Sequence, residues 1–469
     1  MRTGKGELRH FVGYAYMKQT AVRKIDEKTS MLILAGPLFA EMLLNILLNN
    51  IDTMMISRYS ENAVGAVGNA NQMMTLFVLM FGVIASATGV VVSQYLGANR
   101  TENMNQIYSL AFIVNLVFGV FMSAVMFLFC RSFLSLLKVN DVQLPDAVTY
   151  TKIVGGLLFL QACYNVMVQI LRCHGYTRVG MIISLVMNLV NILGNYLFLY
   201  GPLKKLELGV AGVAISTISA RIVALSIAVA VFYHYKIGII SPRFLLPFPT
   251  KILVRMLKIG VPSAGENLAY SFYQLVLLSF VNAMGPVATN AKVYASTLMM
   301  FSVVFSNSLA QATMIVTGHL VGAGREDTAD RRVMKTLFTS LPVAVGIATL
   351  NCLLCPLTLK LFTSSTEALG LVRQILAVGI IMEIGRTINL VIIGSMKAAG
   401  DVLFPVLVGM LCMWCIGIGV GYGCGVALGI GVAGIFMGTA ADECCRGMIV
   451  LIRWKMGKWK GKAIVRSQQ

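Results

Sequence analysis

Apolar residues gather along the chain in twelve blocks separated by short polar stretches, over 31–52, 70–94, 107–130, 150–171, 179–200, 208–233, 259–283, 294–318, 336–359, 372–394, 402–422 and 426–451. Each block holds about 20 residues, the length a helix needs to cross a bilayer. A membrane β-barrel would show shorter segments that alternate in polarity. The pattern therefore predicts an all-α polytopic membrane protein with twelve transmembrane helices. An even count puts both termini in the same compartment.

The longest polar connector, His234 to Lys258, contains Pro242, Pro247 and Pro249 and divides the blocks six and six. The two halves repeat one another. SATGVVVSQYLGANRTE begins at Ser86 and QATMIVTGHLVGAGRED at Gln311, an offset of 225 residues. The same offset pairs Pro37 with Pro262, Glu41 with Glu266, Ala63 with Ala288, Gly97 with Gly322, Arg100 with Arg325 and Gly175 with Gly400. With a short gap, LGVAGVAIST from Leu208 matches IGVAGIFMGT from Ile430. Matches at constant spacing imply a duplicated unit. Six helices per unit give both copies the same orientation, so two pseudo-symmetric six-helix bundles are expected, rocking about a cleft to give alternating access. The predicted divisions are an N-terminal segment (1–30), an N-lobe of helices 1–6 (31–233), an inter-lobe connector (234–258), a C-lobe of helices 7–12 (259–451) and a basic tail (452–469).

Composition supports this picture. Of the 469 residues 57% are hydrophobic and 12% charged, against about 25% charged in a soluble domain. The net charge of +19 raises nucleic-acid binding, but the basic residues lie in alternate loops. They are Arg2 through Lys28, Arg100, Arg172 with Arg178, Arg243 through Lys258, Arg325 with Arg331, Arg332 and Lys335, and Arg453 through Arg466. The intervening loops are poorer, with Lys204, Lys205 and Lys360 as exceptions. This asymmetry places both termini in the cytoplasm and the chain in an inner or plasma membrane, and no nucleic-acid partner is expected. Trp454 and Trp459 sit where interfacial anchors would. Cys352/Cys355 and Cys412/Cys415 have CxxC spacing but lie in or beside apolar blocks without histidines, so they read as small packed side chains. GAN after Leu96 and GAG after Val321 lack a Walker A arrangement; they read as tight turns between helices. No cofactor and no enzymatic activity are expected.

Ionisable groups inside apolar blocks are costly and face a bundle interior or an aqueous cavity. Asp52 lies roughly 30 Å from the cytoplasmic start of block 1 at 1.5 Å per residue, with Asn45, Asn49 and Asn50 nearby. In block 5, Asn188, Asn191 and Asn195 fall on one helix face. Together with Asp52 and Thr217 they offer oxygen ligands for Na⁺, or a carboxylate for H⁺. Glu41 and Glu266 follow Pro37 and Pro262 at equivalent places; each could bind a cationic substrate, carry a proton or latch two helices. Glu383 and Arg386, three residues apart, could neutralise each other, and Arg446 can reach Asp442 or Glu443 along one helix face.

The chain carries phrases that, as a set and in this order, resemble the multidrug and toxic compound extrusion family, especially its bacterial branch. The likeness runs from Met31 to Val450 and is carried by AGPLFAEMLLNILLNNIDTMMISRYSENAVGAVG, VVVSQYLGANR, ILRCHGYTRVG, LGVAGVAIST, VPSAGENLAY, IVTGHLVGAGR and GTAADECCRG. The resemblance implies twelve helices in two lobes and export of organic cations or drugs, driven by inward flow of H⁺ or Na⁺ through a functional monomer among membrane lipids. The family's first-helix acid falls on Asp52 and its N-lobe cation-site positions on Asn191, Asn195 and Thr217. An Asp common in that pattern is Asn195 here, which removes one charge and argues against a two-carboxylate proton relay. In the second half Glu266 is present, but Tyr270 stands where another branch carries an acid. An exporter of lipid-linked or polysaccharide precursors is the alternative within transport, favoured by basic cavity residues; a membrane scaffold or receptor is the alternative outside it.

Overall fold

The protein is described from a computed structural model, covering residues 25–359 and 365–465. The basic positions Arg2 to Lys24, with Lys360 and Arg466, lie outside the described residues. The fold is all-α among the described residues. In the first half, α1 (Met31–Tyr59), α2 (Glu61–Gly97), α3 (Met104–Leu136), α4 (Leu144–Tyr150), α5 (Leu158–Cys173), α6 (Thr177–Leu199) and α7 (Gly209–His234) follow one another. The second half has α8 (Thr250–Ala283), α9 (Pro286–Gly322), α10 (Glu326–Thr358), α11 (Thr366–Ala399), α12 (Leu403–Leu411), α13 (Ile418–Tyr422) and α14 (Val432–Lys455).

The duplication is written into the helix boundaries. α2 and α9 are each 37 residues long, and both their starts and their ends are separated by the 225-residue offset of the sequence repeat. After each, the chain turns through a residue of positive φ, Asn99 (φ 54°) in the first copy and Gly324 (φ 72°) in the second. Asparagine and glycine are the residues that tolerate this conformation, so the same turn is made twice.

Nine helices among the described residues are long and apolar enough to cross a membrane, and Leu144–Gly155 with Leu158–Cys173, bent by 45°, make a tenth if they form one broken span. The expected twelve apolar blocks therefore need correction. The fourth block is bent about a π-helical turn at Thr151–Gly155, and the eleventh contains two π-helical stretches, Cys412–Gly417 and Gly423–Ala427. α8 and α14, which correspond to blocks 7 and 12, fall outside the apolar set. α8 carries Lys251, Arg255, Lys258 and Glu266, and α14 carries Asp442, Glu443, Arg446, Arg453 and Lys455.

The described residues form two compact units, the first comprising Ile25 and Ala40–Met256, the second Asp26–Phe39 and the described part of 257–465. Each has its own core. That of the first centres on Phe81, Met126, Leu134, Leu158 and Val213. That of the second centres on Tyr273, Leu277, Leu376, Met413 and Ile435. Trp454 and Trp459, expected at the membrane interface, are instead each 1% exposed and stacked with ring centroids 4.1 Å apart. Trp454 Nε1 donates to Asp330 at 2.7 Å. Beyond them the tail is pinned electrostatically. Lys462 and Arg453 both reach Asp401, at 2.6 and 2.7 Å. Lys460 Nζ donates to Asp327 at 2.6 Å, and that hydrogen bond holds the ammonium above the ordinary lysine range.

In the second unit α14 packs against the π-helical segments through glycines. A methyl group on Gly434 would lie 2.6 Å from the backbone of Cys424 and Gly425, and one on Gly438 would collide with Gly417 O and Gly421 N. Small residues at such crossings let helix backbones meet where no hydrophobic effect drives them together. Gly438→Ala should accordingly lower the thermal unfolding midpoint by the equivalent of about 1–3 kcal/mol of overpacking. Gly419→Ala, whose added methyl meets nothing within 4 Å, should leave the midpoint unchanged; equal effects of the two substitutions in a detergent-solubilised melt would refute the close packing.

Candidate functional site

In the first unit the predicted polar positions converge from three helices. Asp52 lies on α1, where Asn195 of α6 donates an amide hydrogen bond from Nδ2 to its Oδ1. One turn earlier on α6, Asn191 donates to Thr217 Oγ1 of α7 at 3.1 Å, and that hydroxyl donates to Val213 O at 3.0 Å. A second knot ties α1 to α6 nearer the middle of both: Asn45 Oδ1 accepts from Ser184 at 2.9 Å and from Asn188 at 2.7 Å. The three-and-four spacing along α6 makes this possible, since it aligns the amides on one face. Asn49 and Asn50 are exposed and stand outside the cluster.

The hydrogen bonds at Asp52 leave one buried polar atom unmet. Asn195 is fully buried, and its Oδ1 has no hydrogen-bond partner. A buried carbonyl oxygen left unmet beside a carboxylate is costly unless something else fills it. Donation from Nδ2 suits an ionised Asp52, which only accepts. Turning the amide would present Oδ1, which suits a protonated Asp52 or a cation held between the two oxygens. Tyr150, also buried, lies close enough to Thr217, Asn71 and Asp52 to interact with them electrostatically.

Glu41 is not open to this cluster. Arg172 Nη2 of α5 donates to its Oε1 at 2.7 Å, while Glu41 Oε2 and Arg172 Nε are buried without partners. The same offset of 225 residues carries Glu41 to Glu266 and Arg172 to Lys397, and Lys397 Nζ donates to Glu266 Oε2 at 2.6 Å. Each unit thus contains one acid, four residues after a helix proline, paired with a base from its fourth long segment.

The remaining candidates form a network within the second unit. Arg386 Nη1 donates to Glu383 at 2.9 Å and its Nε lies 3.9 Å from Glu443. Arg446 donates to Asp442 at 2.6 Å and lies 3.7 Å from Glu443. Neutral donors complete the carboxylates: Ser306 reaches Glu383 and Asn389 reaches Glu443, both at 2.7 Å. A methyl group on Gly409 of α12 would sit 3.3 Å from Glu266 Oε1 and 3.6 Å from Arg446 Cδ, so that glycine leaves room where the Glu266 pair approaches Arg446. With Glu266, Glu383, Asp442 and Glu443 facing Arg386, Lys397 and Arg446, one carboxylate is in excess. Asp442 Oδ1 is buried without a partner.

Among the described residues no group of three or more His, Cys, Asp or Glu side chains is placed to hold a metal ion, and all ten cysteines are free. A cation at Asp52 would be held by one carboxylate and neutral oxygens. Sequence reasoning left out Tyr150, Arg172, Lys397, Ser306 and Asn389 as partners. The repeat offset alone points to Arg172 and Lys397, whereas the others depend on which helix faces meet.

A duplicated, all-α polytopic membrane protein with ionisable groups enclosed in each unit is the class that this fold and these sites define. Comparison with known proteins makes it specific. The MatE family matches the chain twice, over residues 37–197 and 262–423, the two matches opening on the paired prolines. A Bacillus subtilis protein described as the uncharacterized transporter YisQ is 36% identical over 452 residues, covering 96% of this chain and 99% of the relative. A Thermotoga maritima protein described as a probable multidrug resistance protein NorM is 24% identical, covering 97% of each chain. A crystal structure of MATE in the bent conformation superposes with a TM-score of 0.85 at 19% identity, covering 94% of this chain and 98% of that one. The chain belongs to the MatE family of transporters.

The paired ions give a test of the geometry. Glu41→Gln should destabilise the protein by about 3–5 kcal/mol, because it strands a buried guanidinium. Glu41→Gln with Arg172→Met should recover most of that loss. Additive losses in denaturant unfolding would show that the two side chains do not pair.

Proposed function

We propose that Asp52, with Asn191, Asn195 and Thr217, is the cation-coupling site through which an inward flow of H⁺ or Na⁺ drives export. As a member of its family the chain is a secondary active antiporter for small organic, cationic substrates. The name of the Thermotoga relative extends this to multidrug export. The observation that carries the coupling site is the Asp52–Asn195 hydrogen bond beside the unmet Asn195 oxygen. An amide that serves the ionised carboxylate through its nitrogen and the cation-loaded state through its oxygen distinguishes the two states without a second acid. The substitution of Asn195 for an acid lowers the charge of the site and leaves coordination to neutral oxygens.

Glu266, Glu383, Arg386, Asp442 and Glu443 are proposed as substrate-linked or proton-linked groups of the second unit, with Glu41 as their counterpart in the first. The excess carboxylate there favours a positively charged visitor. Counting charged α8 and α14 as spans, because Glu266, Asp442, Glu443 and Arg446 are met within the protein while Lys251, Lys258 and Lys455 are exposed near the helix ends, supports twelve helices in six-helix lobes at 31–233 and 259–451. The connector 234–258, the segment 1–30 and the tail 452–469 then lie in the cytoplasm, as the basic loops favour, in an inner or plasma membrane. The working unit is a monomer.

Coupling requires the cation to bind one conformation more tightly than the other, since equal affinity shifts neither. In proteoliposomes with an imposed H⁺ or Na⁺ gradient, Asp52→Asn should reduce gradient-driven efflux of a cationic dye by about tenfold or more while its equilibrium binding changes by less than about threefold. Undiminished coupled efflux would eliminate Asp52 as the coupling residue.

A further inference from the structure

Arg221 is the sole charged residue between Leu208 and Tyr233, and neither the coupling site nor the paired ions use it. It stands twelve residues into α7, which runs Gly209–His234, so it is roughly 18–20 Å from either helix end at 1.5 Å per residue. A side chain of about 7 Å cannot bring its head to an aqueous interface from there by snorkelling. Its Nη1 is buried with no hydrogen-bond partner, and no carboxylate among the described residues pairs with it. Arg386 and Arg446, the other arginines placed mid-helix, each have an acid within 4 Å.

The neighbourhood is polar. Thr217 lies one turn earlier on the same face of α7, and Tyr150 is within electrostatic reach of both Arg221 and Asp52. A guanidinium inside a membrane span without a counter-charge marks a place where the missing partner arrives from elsewhere. Its planar fork of donors matches a carboxylate in two-point contact.

We propose that Arg221 is the seat of a carboxylate, so that the first unit takes a molecule carrying a negative group in addition to the positive group that Asp52 attracts. A zwitterion satisfies both ends. Its ammonium or iminium group lies toward Asp52 and its carboxylate on Arg221, and the ligand brings no net charge into the low-dielectric interior. Cation entry at Asp52 then displaces the positive end, while the negative end is held by a residue that cannot lose its charge. This rests on reading the first unit as a transport site, but it concerns what the site binds and not what drives it.

The test uses the full-length protein in lipid nanodiscs with no ion gradient, which separates it from the efflux assay on Asp52. Rhodamine 110, with a free carboxylate, and rhodamine 123, its methyl ester, differ at the group in question. Wild type should bind the acid about tenfold more tightly than the ester, the worth of a charge-assisted hydrogen bond, and Arg221→Gln should bring the two within about twofold. Acetate is the second probe, read as a rise in the thermal unfolding midpoint of wild type that Arg221→Gln lacks. Acid-over-ester preference without an acetate effect assigns the carboxylate to cargo. An acetate effect that competes with the dye assigns it to a free anion; both support the seat. Arg221→Lys, which keeps the charge and loses the fork, carries the measurement if the Gln variant does not fold, and it should lose severalfold of the preference. The proposal is overturned if neither probe separates wild type from the variants. It is equally overturned if Arg221→Gln only lowers the midpoint of the ligand-free protein while both probes behave as in wild type.

Discussion

A charge placed inside a lipid-embedded helix must be met within the protein, because neither hydrocarbon nor a distant interface can solvate it. That constraint organises both units. Glu41 is met by Arg172 at 2.7 Å, Glu266 by Lys397 at 2.6 Å and Asp442 by Arg446 at 2.6 Å. It also explains why α14 can carry five charged residues and still pack against α11: Asp442, Glu443 and Arg446 turn into the second unit, where Arg386 and Asn389 complete their bonds. Part of the polarity that removes α8 and α14 from the apolar set is internal, at Glu266, Asp442, Glu443 and Arg446; the rest is exposed near the helix ends, at Lys251, Lys258 and Lys455.

Against this background the two copies have diverged in an instructive way. The duplication preserved what the backbone and the ion pairs need, including the matched ends of α2 and α9, the positive-φ turns at Asn99 and Gly324, and the acid–base pair after each helix proline. It did not preserve the Asp52 cluster. At the 225-residue offset, Asp52 corresponds to Leu277 and Asn195 to Val420, and Leu277 is part of the second unit's hydrophobic core. The second unit instead gathers its carboxylates on α11 and α14, in tight pairs with arginines. Besides its Glu41–Arg172 pair, the first unit therefore holds at Asp52 a carboxylate without a base, addressed by the Asn195 amide, and the second a network with one acid in excess. The second is already nearly neutral.

The features that sequence periodicity misjudged share a cause. Trp454 and Trp459 stand at the end of an apolar block, where interfacial anchors are common, but their burial depends on the tail folding back to Asp327, Asp330 and Asp401. The π-helical stretches at Thr151–Gly155 and Cys412–Gly417 do not interrupt hydropathy, since a π-turn changes backbone bonding and not composition. Asn49 and Asn50 are as polar as Asn45, yet only Asn45 meets Ser184 and Asn188.

What the sequence determined by itself is the class of protein, the helical character, the duplication with its offset, and the candidacy of Asp52, Asn191, Asn195, Glu266 and Asp442. These follow from one-dimensional quantities: block length, charge placement and self-similarity. Which of them meet was decided only by the tertiary structure. The amide that faces Asp52, the base that holds Glu41 and the arginine on α7 that meets no acid are each defined by the rotation of one helix against another, at separations of 26 to 143 residues. A hydrogen bond or ion pair is decided by a few ångströms and a rotamer, and no pattern along a single helix contains that information.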